Sequence, residues 1–318
     1  MTTQAFTQIR NYLDSQIIGQ SELTSNMLVA LLAGGHILVE GPPGLAKTRA
    51  INALAKAVHG DFHRVQFTPD LLPADLTGTD IYRPEDGSFN FQPGPIFHNL
   101  ILADEINRAP AKVQSALLEA MAERQVTVGK KTYALPDLFM VMATQNPLEQ
   151  EGTYPLPEAQ LDRFLLHLEI DYPSASSERE ILRLTRGEAL NHQQNEIQAL
   201  SQDVIFAARE SVLNIYMDDA IENYIVDLII ATRDPAKYDP QLAQWIACGA
   251  SPRATIALDR CARADAWLKG QDFVSPENVQ SVLHNVLRHR LILSYEAEAD
   301  GISANQVLDK IRSLVAVA

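Results

Sequence analysis

The sequence predicts an α/β core built on a mainly parallel sheet, followed by an all-helical second domain. Three observations carry this reading. Short apolar runs alternate with helix-period segments through the first half, the rhythm of strands joined by crossover helices. A glycine-rich loop, Gly41 to Thr48, links the first such run to a helical stretch. Beyond Tyr172-Pro173 the strand pattern stops and helix start signals take over.

Each element has its own local reason. His36 to Glu40, Phe62 to Phe67, Leu100 to Asp104, Phe139 to Thr144 and Phe164 to Ile170 read as buried strands, being near-continuous apolar runs of strand length. Pro110 to Arg124 reads as a helix: Pro110 suits a first helical position, and Val113, Ala116, Leu117, Ala120 and Met121 recur at helical spacing. Two hairpins interrupt the rhythm. Ile81 to Phe91 turns at Asp86-Gly87, and Gln125 to Leu135 turns at Gly129-Lys130-Lys131. In the second half Ser177-x-x-Glu180 reads as a capping box, while Ser251-Pro252 and Ser275-Pro276 each place a capping serine before a first-turn proline. The expected division is a core over 1–172, with inserts near 70–95 and 124–137, and a helical domain over 173–318.

Composition narrows the function classes. With 46% hydrophobic and 21% charged residues in 318, the chain has the make-up of a globular protein with a sizeable core. No run approaches the roughly eighteen apolar residues of a membrane span, and MTTQAFTQIR lacks the basic and apolar regions of a signal peptide, so a cytoplasmic protein is expected. A formal charge of -14 argues against a broad nucleic-acid footprint. Cys248 and Cys261 have no further ligand at metal spacing and are expected to be small buried residues.

The chemistry concentrates around the loop. His36 to Glu40 runs directly into Gly41-Pro-Pro-Gly-Leu-Ala-Lys-Thr48, and the helical stretch Arg49 to Val58 follows. Such a turn aims backbone N–H groups at one point, the helix N-terminus adds positive potential, Lys47 adds charge and Thr48 can hold Mg²⁺, which suits a polyphosphate. Gly41, Pro42, Pro43, Gly44, Leu45, Ala46, Lys47, Thr48 and Arg49 are therefore candidate nucleotide contacts. Ala46 departs from the general rule, which has a second glycine there.

Asn99 to Asp104 is an apolar strand ending in the adjacent carboxylates Asp104 and Glu105, which belong at the carboxyl edge of the sheet beside the loop. Asp104 is the candidate for the magnesium shell. Glu105, expected to point to the opposite side of the strand, is the candidate general base that polarises an attacking water. The next strand ends in Gln145-Asn146-Pro147, and the Asn146 amide can orient both the γ-phosphate and the water, although Asn-Pro is also a common turn.

Taken together, Gly41-Pro-Pro-Gly-Leu-Ala-Lys-Thr48, Ala103-Asp-Glu-Ile-Asn-Arg-Ala-Pro110, Gln114-Ser-Ala-Leu-Leu-Glu-Ala-Met121, Ala143-Thr-Gln-Asn-Pro147 and Glu151-Gly-Thr-Tyr-Pro-Leu-Pro-Glu-Ala-Gln-Leu-Asp-Arg-Phe164 resemble the MoxR family of AAA+ ATPases. The resemblance is dense from about Gly19 to Phe164 and includes Ala46 in its Gly-Leu-Ala-Lys-Thr form. It implies a P-loop NTPase core, a five-stranded sheet of order 5-1-4-3-2, a helical lid, and ATP with Mg²⁺ between them. It also implies a homo-oligomeric ring of six subunits and a chaperone-like role in maturing partner complexes, together with von Willebrand factor A domain proteins. On the same resemblance the hairpins correspond to the helix-2 and pre-sensor-1 inserts, and Ile17-Ile-Gly-Gln20 supplies adenine-side contacts at Ile18 and Gly19. Arg163 resembles an arginine finger acting on the neighbouring subunit, and Arg253 resembles a second sensor reaching from the lid to the γ-phosphate. Arg253 also opposes the dipole of the helix it begins, which an anionic ligand nearby would explain. Arg108 is a candidate reporter of nucleotide state, not a catalytic group.

Three functions compete at this point. The first is ATP-driven remodelling. The second is a nucleotide-gated binding module for which hydrolysis is not essential. The third is a DNA-acting relative, supported only by Lys130-Lys131 and opposed by the acidic balance. No Asn-Lys-x-Asp segment reads guanine, and neither a His-Glu-x-x-His metal site nor a Gly-x-Ser-x-Gly elbow is present.

Overall fold

The computed structural model describes residues 2–147, 152–190 and 197–317. Glu151 of the motif quoted above lies outside them. Two helices open the chain, α1 (Thr2–Gln16) and α2 (Ser21–Ala33), the latter ending at Gly34 in the left-handed conformation that glycine adopts without a side-chain clash. There follow β1 (Ile37–Glu40), α3 (Lys47–Ala57), β2 (Phe62–Gln66), α4 (Pro73–Thr77), the hairpin β3 (Gly78–Arg83) with β4 (Ser88–Pro93), and β5 (Leu100–Asp104). Next come α5 (Ala111–Glu123), the hairpin β6 (Gln125–Val128) with β7 (Lys131–Ala134), β8 (Met140–Gln145), the single turn α6 (Glu158–Leu161) and β9 (Leu166–Glu169). The remainder holds α7 (Ala175–Ala189), α8 (Gln202–Leu213), α9 (Asp219–Arg233), α10 (Pro240–Trp245), β10 (Ile246–Cys248), α11 (Pro252–Leu268), α12 (Pro276–Leu287), β11 (Ile292–Leu293), α13 (Tyr295–Ala299) and α14 (Ala304–Leu314).

The five core strands pair in parallel in the order β2-β5-β8-β1-β9. Numbered along the chain, that is the 5-1-4-3-2 order the resemblance implies. Strand alternation divides the apolar residues between two cores. Ile37, Val39, Leu100, Leu102, Met140 and Met142 join the core built with α1 to α3 and the C-terminal helices. Leu38, Ile101, Ala103, Val141 and Ala143 join the one under α4, α5 and the hairpins. Both faces are covered, as an all-parallel sheet requires. The carboxyl edges of β1, β5 and β8 therefore open on one rim, where the chain must turn and where polar side chains can gather.

Several expectations shift. The C-terminal half is not purely helical, since β10 and β11 form a small antiparallel ribbon with a register irregularity between Ile246 and Cys248. That ribbon exposes Cys248, contrary to the expectation that both cysteines are buried. Cys261, inside α11, is buried, and its thiol is pushed up to about 12 by burial. The cap of α7 is Ser174, whose oxygen accepts from the Ser177 N–H, so the helix begins one turn earlier than the expected box. Ser251 and Ser275 do precede first-turn prolines, and Ser275 forms its box with Asn278. Pro110 precedes α5 instead of opening it, and Arg124 closes that helix at φ 52°.

Candidate nucleotide site

The loop after β1 is shaped by close approach. Gly41 N–H donates to Gln145 O at 3.3 Å, and a Cβ on Gly41 would lie 2.4 Å from Ile170 O, so only glycine fits where the chain leaves the sheet. Gly44 (φ 85°) and Ala46 (φ 56°) take left-handed conformations that curl the loop into the first turn of α3. Glycine is absent at 46, so the alanine carries the strain that the sequence pattern hints at. Lys47 opens α3, and its Nζ donates to Gly41 O at 2.6 Å, folding the ammonium back into the loop. Burial lowers its pKa, and the negative charges of Asp104, Glu40 and Glu105 oppose that shift.

This loop forms one wall of a cleft of about 430 Å³. Pro43 to Arg49 line one side, and Arg64, Asp104, Glu105, Thr144 and Asn146 line the other. The phosphate loop, both carboxylates and the polar residue after β8 thus share one cavity. Asn146 is buried and contacts its surroundings there.

The acidic pair is not splayed across the strand as strict alternation predicts. Glu105 has φ 57°, and this left-handed residue turns the chain so that its side chain returns to the cavity that Asp104 faces. Thr144 fixes both residues, donating from Oγ1 to Asp104 Oδ1 at 2.7 Å and accepting the Glu105 N–H at 2.9 Å. Glu105 Oε2 accepts from Gln66 Nε2 at 2.7 Å and from Arg108 Nη1 at 3.1 Å. Asp104 Oδ2 accepts from Arg64 at 2.6 and 3.1 Å. Beneath this turn, fully buried Gln114 donates from Nε2 to the carbonyls of Ile106, Ala109 and Tyr154, at 3.2, 3.2 and 2.9 Å, pinning the segment that carries Glu105.

A second, more apolar pocket of about 240 Å³ adjoins the loop through Pro43 to Ala46. Ile18, Gln20, Tyr172, Ile181 and Leu184 line it, which gives a flat heterocycle an apolar seat beside the phosphate cradle. Gly19 supports this pocket without lining it: at φ 80° it packs against α7, where a Cβ would sit 2.9 Å from Ser177 Cβ. Gly41 and Pro42 likewise shape the loop without lining either cavity. Arg49 lines both, yet its guanidinium is engaged by Glu188 of α7 and by Gln16 at 3.0 Å.

Arg163 and Arg253 are not brought to the phosphate cleft. They line a separate cleft of about 320 Å³ together with Arg124, Arg260 and Arg290. Arg163 Nη1 donates to Leu118 O at 2.7 Å. Asp162 ties this region to the C-terminal helices, accepting from Arg290 Nε at 2.8 Å and from Ser251 Oγ at 2.8 Å, with Arg253 Nη1 at 3.7 Å.

Comparison with known proteins agrees with this geometry. Residues 36–166 match the model of the ATPase family associated with various cellular activities (AAA), and 242–311 match the AAA lid domain. Chaperone MoxR1 of Mycobacterium tuberculosis is 47% identical over 95% of this chain and 79% of its own length. The chain belongs to the MoxR family of AAA+ ATPases. The uncharacterized protein YeaC of Bacillus subtilis is 45% identical (96% of this chain, 92% of that protein), and Protein MoxR of Paracoccus denitrificans 33% (91% and 90%). A crystal structure of a candidate ATPase from Cytophaga hutchinsonii superposes with TM-score 0.92 at 46% identity, covering 100% of this chain and 96% of that one.

The AAA+ family implies use of a nucleotide and usually of Mg²⁺, and the donor set fits that ion. Among the described residues no group of three His, Cys, Asp or Glu side chains can hold a metal alone. Thr48 and Asp104, hard oxygen donors in one cleft, match an ion that takes few protein ligands and arrives on phosphate oxygens. Among the described residues no helix is long and apolar enough to cross a membrane.

Sequence reasoning passed over Arg64, Gln66, Thr144 and Gln114. One signal pointed to the first two: they are alternate polar residues near the carboxyl end of a core strand, where ligands bind in open α/β sheets.

Proposed function

We propose that the chain is an ATP-hydrolysing remodeller that activates or matures partner protein complexes. The observation that carries this is the single cleft shared by the phosphate loop, Asp104, Glu105 and Asn146, with an apolar pocket beside it. Lys47 and the loop N–H groups bind the triphosphate, Thr48 and Asp104 hold its Mg²⁺, and Ile18 and the residues around Gly19 seat the base. When bound, the ion neutralises charge developing on the phosphate. Glu105 accepts the proton of the attacking water once Gln66 and Arg108 release it, and Asn146 orients that water.

Arg163 lies in a cationic cleft away from its own phosphate loop, which supports its acting on the nucleotide of the next subunit in a ring, of six subunits on the family resemblance; Arg253, in the same cleft, is the second sensor that reaches from the lid to the γ-phosphate. On this reading residues 1–172 form the ATPase core and 173–318 the lid. A von Willebrand factor A domain protein and its client complex are the expected partners, and the cytoplasm is the expected compartment. The exposed aromatic side chains Tyr82 and Phe89, whose rings pack at a tilt of 52° with centroids 5.3 Å apart on the first hairpin, are available for client contact. The test is phosphate release by wild type and by Glu105→Gln. Turnover should fall by about a hundredfold or more while ATP remains bound; equal rates would remove Glu105 from the chemistry.

A further inference from the structure

Arg64 stands in the phosphate cleft with no part in the reading above. It lies on β2, the strand next to the one carrying the acidic pair, and in register its partner on β5 is Leu102. From there the guanidinium reaches forward to Asp104 and binds one oxygen twice, through Nη2 at 2.6 Å and Nε at 3.1 Å. The other oxygen already accepts from Thr144. A carboxylate oxygen has two lone pairs in its plane, so Oδ2 is fully used. Arg64 Nη2 also donates to Gln66 Oε1 at 2.9 Å, and Gln66 Nε2 donates to Glu105 Oε2 at 2.7 Å. One guanidinium thereby occupies the first carboxylate directly and orients the amide that occupies the second.

The arrangement is poorly explained as a stability element. The arginine side chain is 49% exposed, and an ion pair of that kind contributes little to folding. It does place a cation where a Mg²⁺ ion carried by the triphosphate would meet Asp104, in a cleft already holding Lys47. The two cations cannot both use Oδ2 of Asp104.

We propose that Arg64 is a positioning residue that competes with Mg²⁺ for Asp104 and so sets how much metal the site needs before nucleotide is bound productively. This rests on the nucleotide site proposed above. Its consequence is a site held shut to free divalent ions and opened by the metal-nucleotide complex, because phosphate oxygens give the displaced guanidinium a new anion to bind.

The experiment titrates Mg²⁺ into the full chain with a ribose-labelled fluorescent ATP analogue, following binding, not turnover. Arg64→Gln removes the cation, Arg64→Lys keeps the charge without the two-pronged bond, and Lys56→Gln removes an exposed cation at the end of α3, outside the phosphate cleft. Thermal unfolding verifies that each variant is folded. Arg64→Gln should lower the Mg²⁺ concentration for half-maximal binding by about fivefold, and weaken binding of the analogue in excess chelator. Arg64→Lys should fall between wild type and Arg64→Gln, and Lys56→Gln should stay near wild type. An unchanged midpoint in Arg64→Gln overturns the proposal. So does an equal shift in Lys56→Gln, which would mean a general field in place of competition at Asp104. If wild type binds no analogue at any Mg²⁺ concentration, the nucleotide site itself fails first.

Discussion

Replacing Gly41 by alanine asks the sharpest question of the phosphate loop. The added methyl would stand 2.4 Å from the Ile170 carbonyl oxygen and 2.6 Å from Ile170 Cγ1. Ordinary contact begins near 3.4 Å, so about 1 Å must be recovered. Ile170 cannot yield it cheaply, because its N–H donates to Glu40 O at 2.8 Å directly beneath the loop. Gly41 must therefore move, and its carbonyl is the group that holds Lys47 Nζ at 2.6 Å. Overpacking of this size costs about 2 kcal/mol, which lowers the melting temperature by roughly 3 °C in a chain of 318 residues. A displacement of about 1 Å at a binding group costs on the order of a hundredfold in rate. Thermal unfolding without nucleotide measures the first, and phosphate release, beside binding of a fluorescent ATP analogue, measures the second. Gly44→Ala is the comparison, since it meets nothing within 4 Å and carries only the strain of φ 85°. Wild-type melting and affinity in Gly41→Ala would refute the view that the loop is positioned by its contact with Ile170.

Three further outcomes are expected. Arg163→Ala and Glu105→Gln proteins, each inactive alone, should regain part of the ATPase rate when mixed, because a ring then contains intact sites facing intact arginines; no recovery at any ratio would place Arg163 outside a shared site. Gln114→Leu should take its amide donor from the buried carbonyls of Ile106 and Ala109 and from the part-buried one of Tyr154, costing about 2 to 3 kcal/mol in urea unfolding and reducing turnover through the segment that holds Glu105; unchanged turnover in a folded variant would separate the two. His36 is buried, and burial pushes its pKa from 6.5 to about 4. The unfolded chain takes up a proton as pH falls below 6.5 that the folded chain refuses, so this stability is present above 6.5 and is lost toward pH 4, amounting to about 3 kcal/mol. Urea midpoints across that window should fall less steeply in His36→Gln than in wild type, and equal slopes would contradict the assignment.

Much of the fold was legible because the strands are buried on both faces. A strand covered twice must be apolar throughout, so Leu100 to Asp104 and Met140 to Thr144 stand out as runs. Hairpins were legible from Asp86-Gly87 and Gly129, where positive φ demands glycine. The ribbon of β10 and β11 was not, since two to three residues on each side carry no periodicity, and the exposure of Cys248 follows from that ribbon. The cap of α7 was misplaced because Ser174, Ser176 and Ser177 are chemically equivalent candidates, and packing chose the first.

Chemistry that depends on consecutive residues was written in the chain: the loop from Gly41 to Thr48, the adjacent carboxylates and the Asn after β8 needed no neighbour to be found. Tertiary structure decided which groups meet them. Arg64 and Gln66 reach Asp104 and Glu105 only because β2 lies beside β5, and no local pattern encodes that pairing. The same holds for Arg163 and Arg253, ninety residues apart in sequence and joined in a second cleft through Asp162. Backbone geometry fixed the rest, since one left-handed residue at Glu105 turned an alternating strand end into a pair of carboxylates facing one cavity.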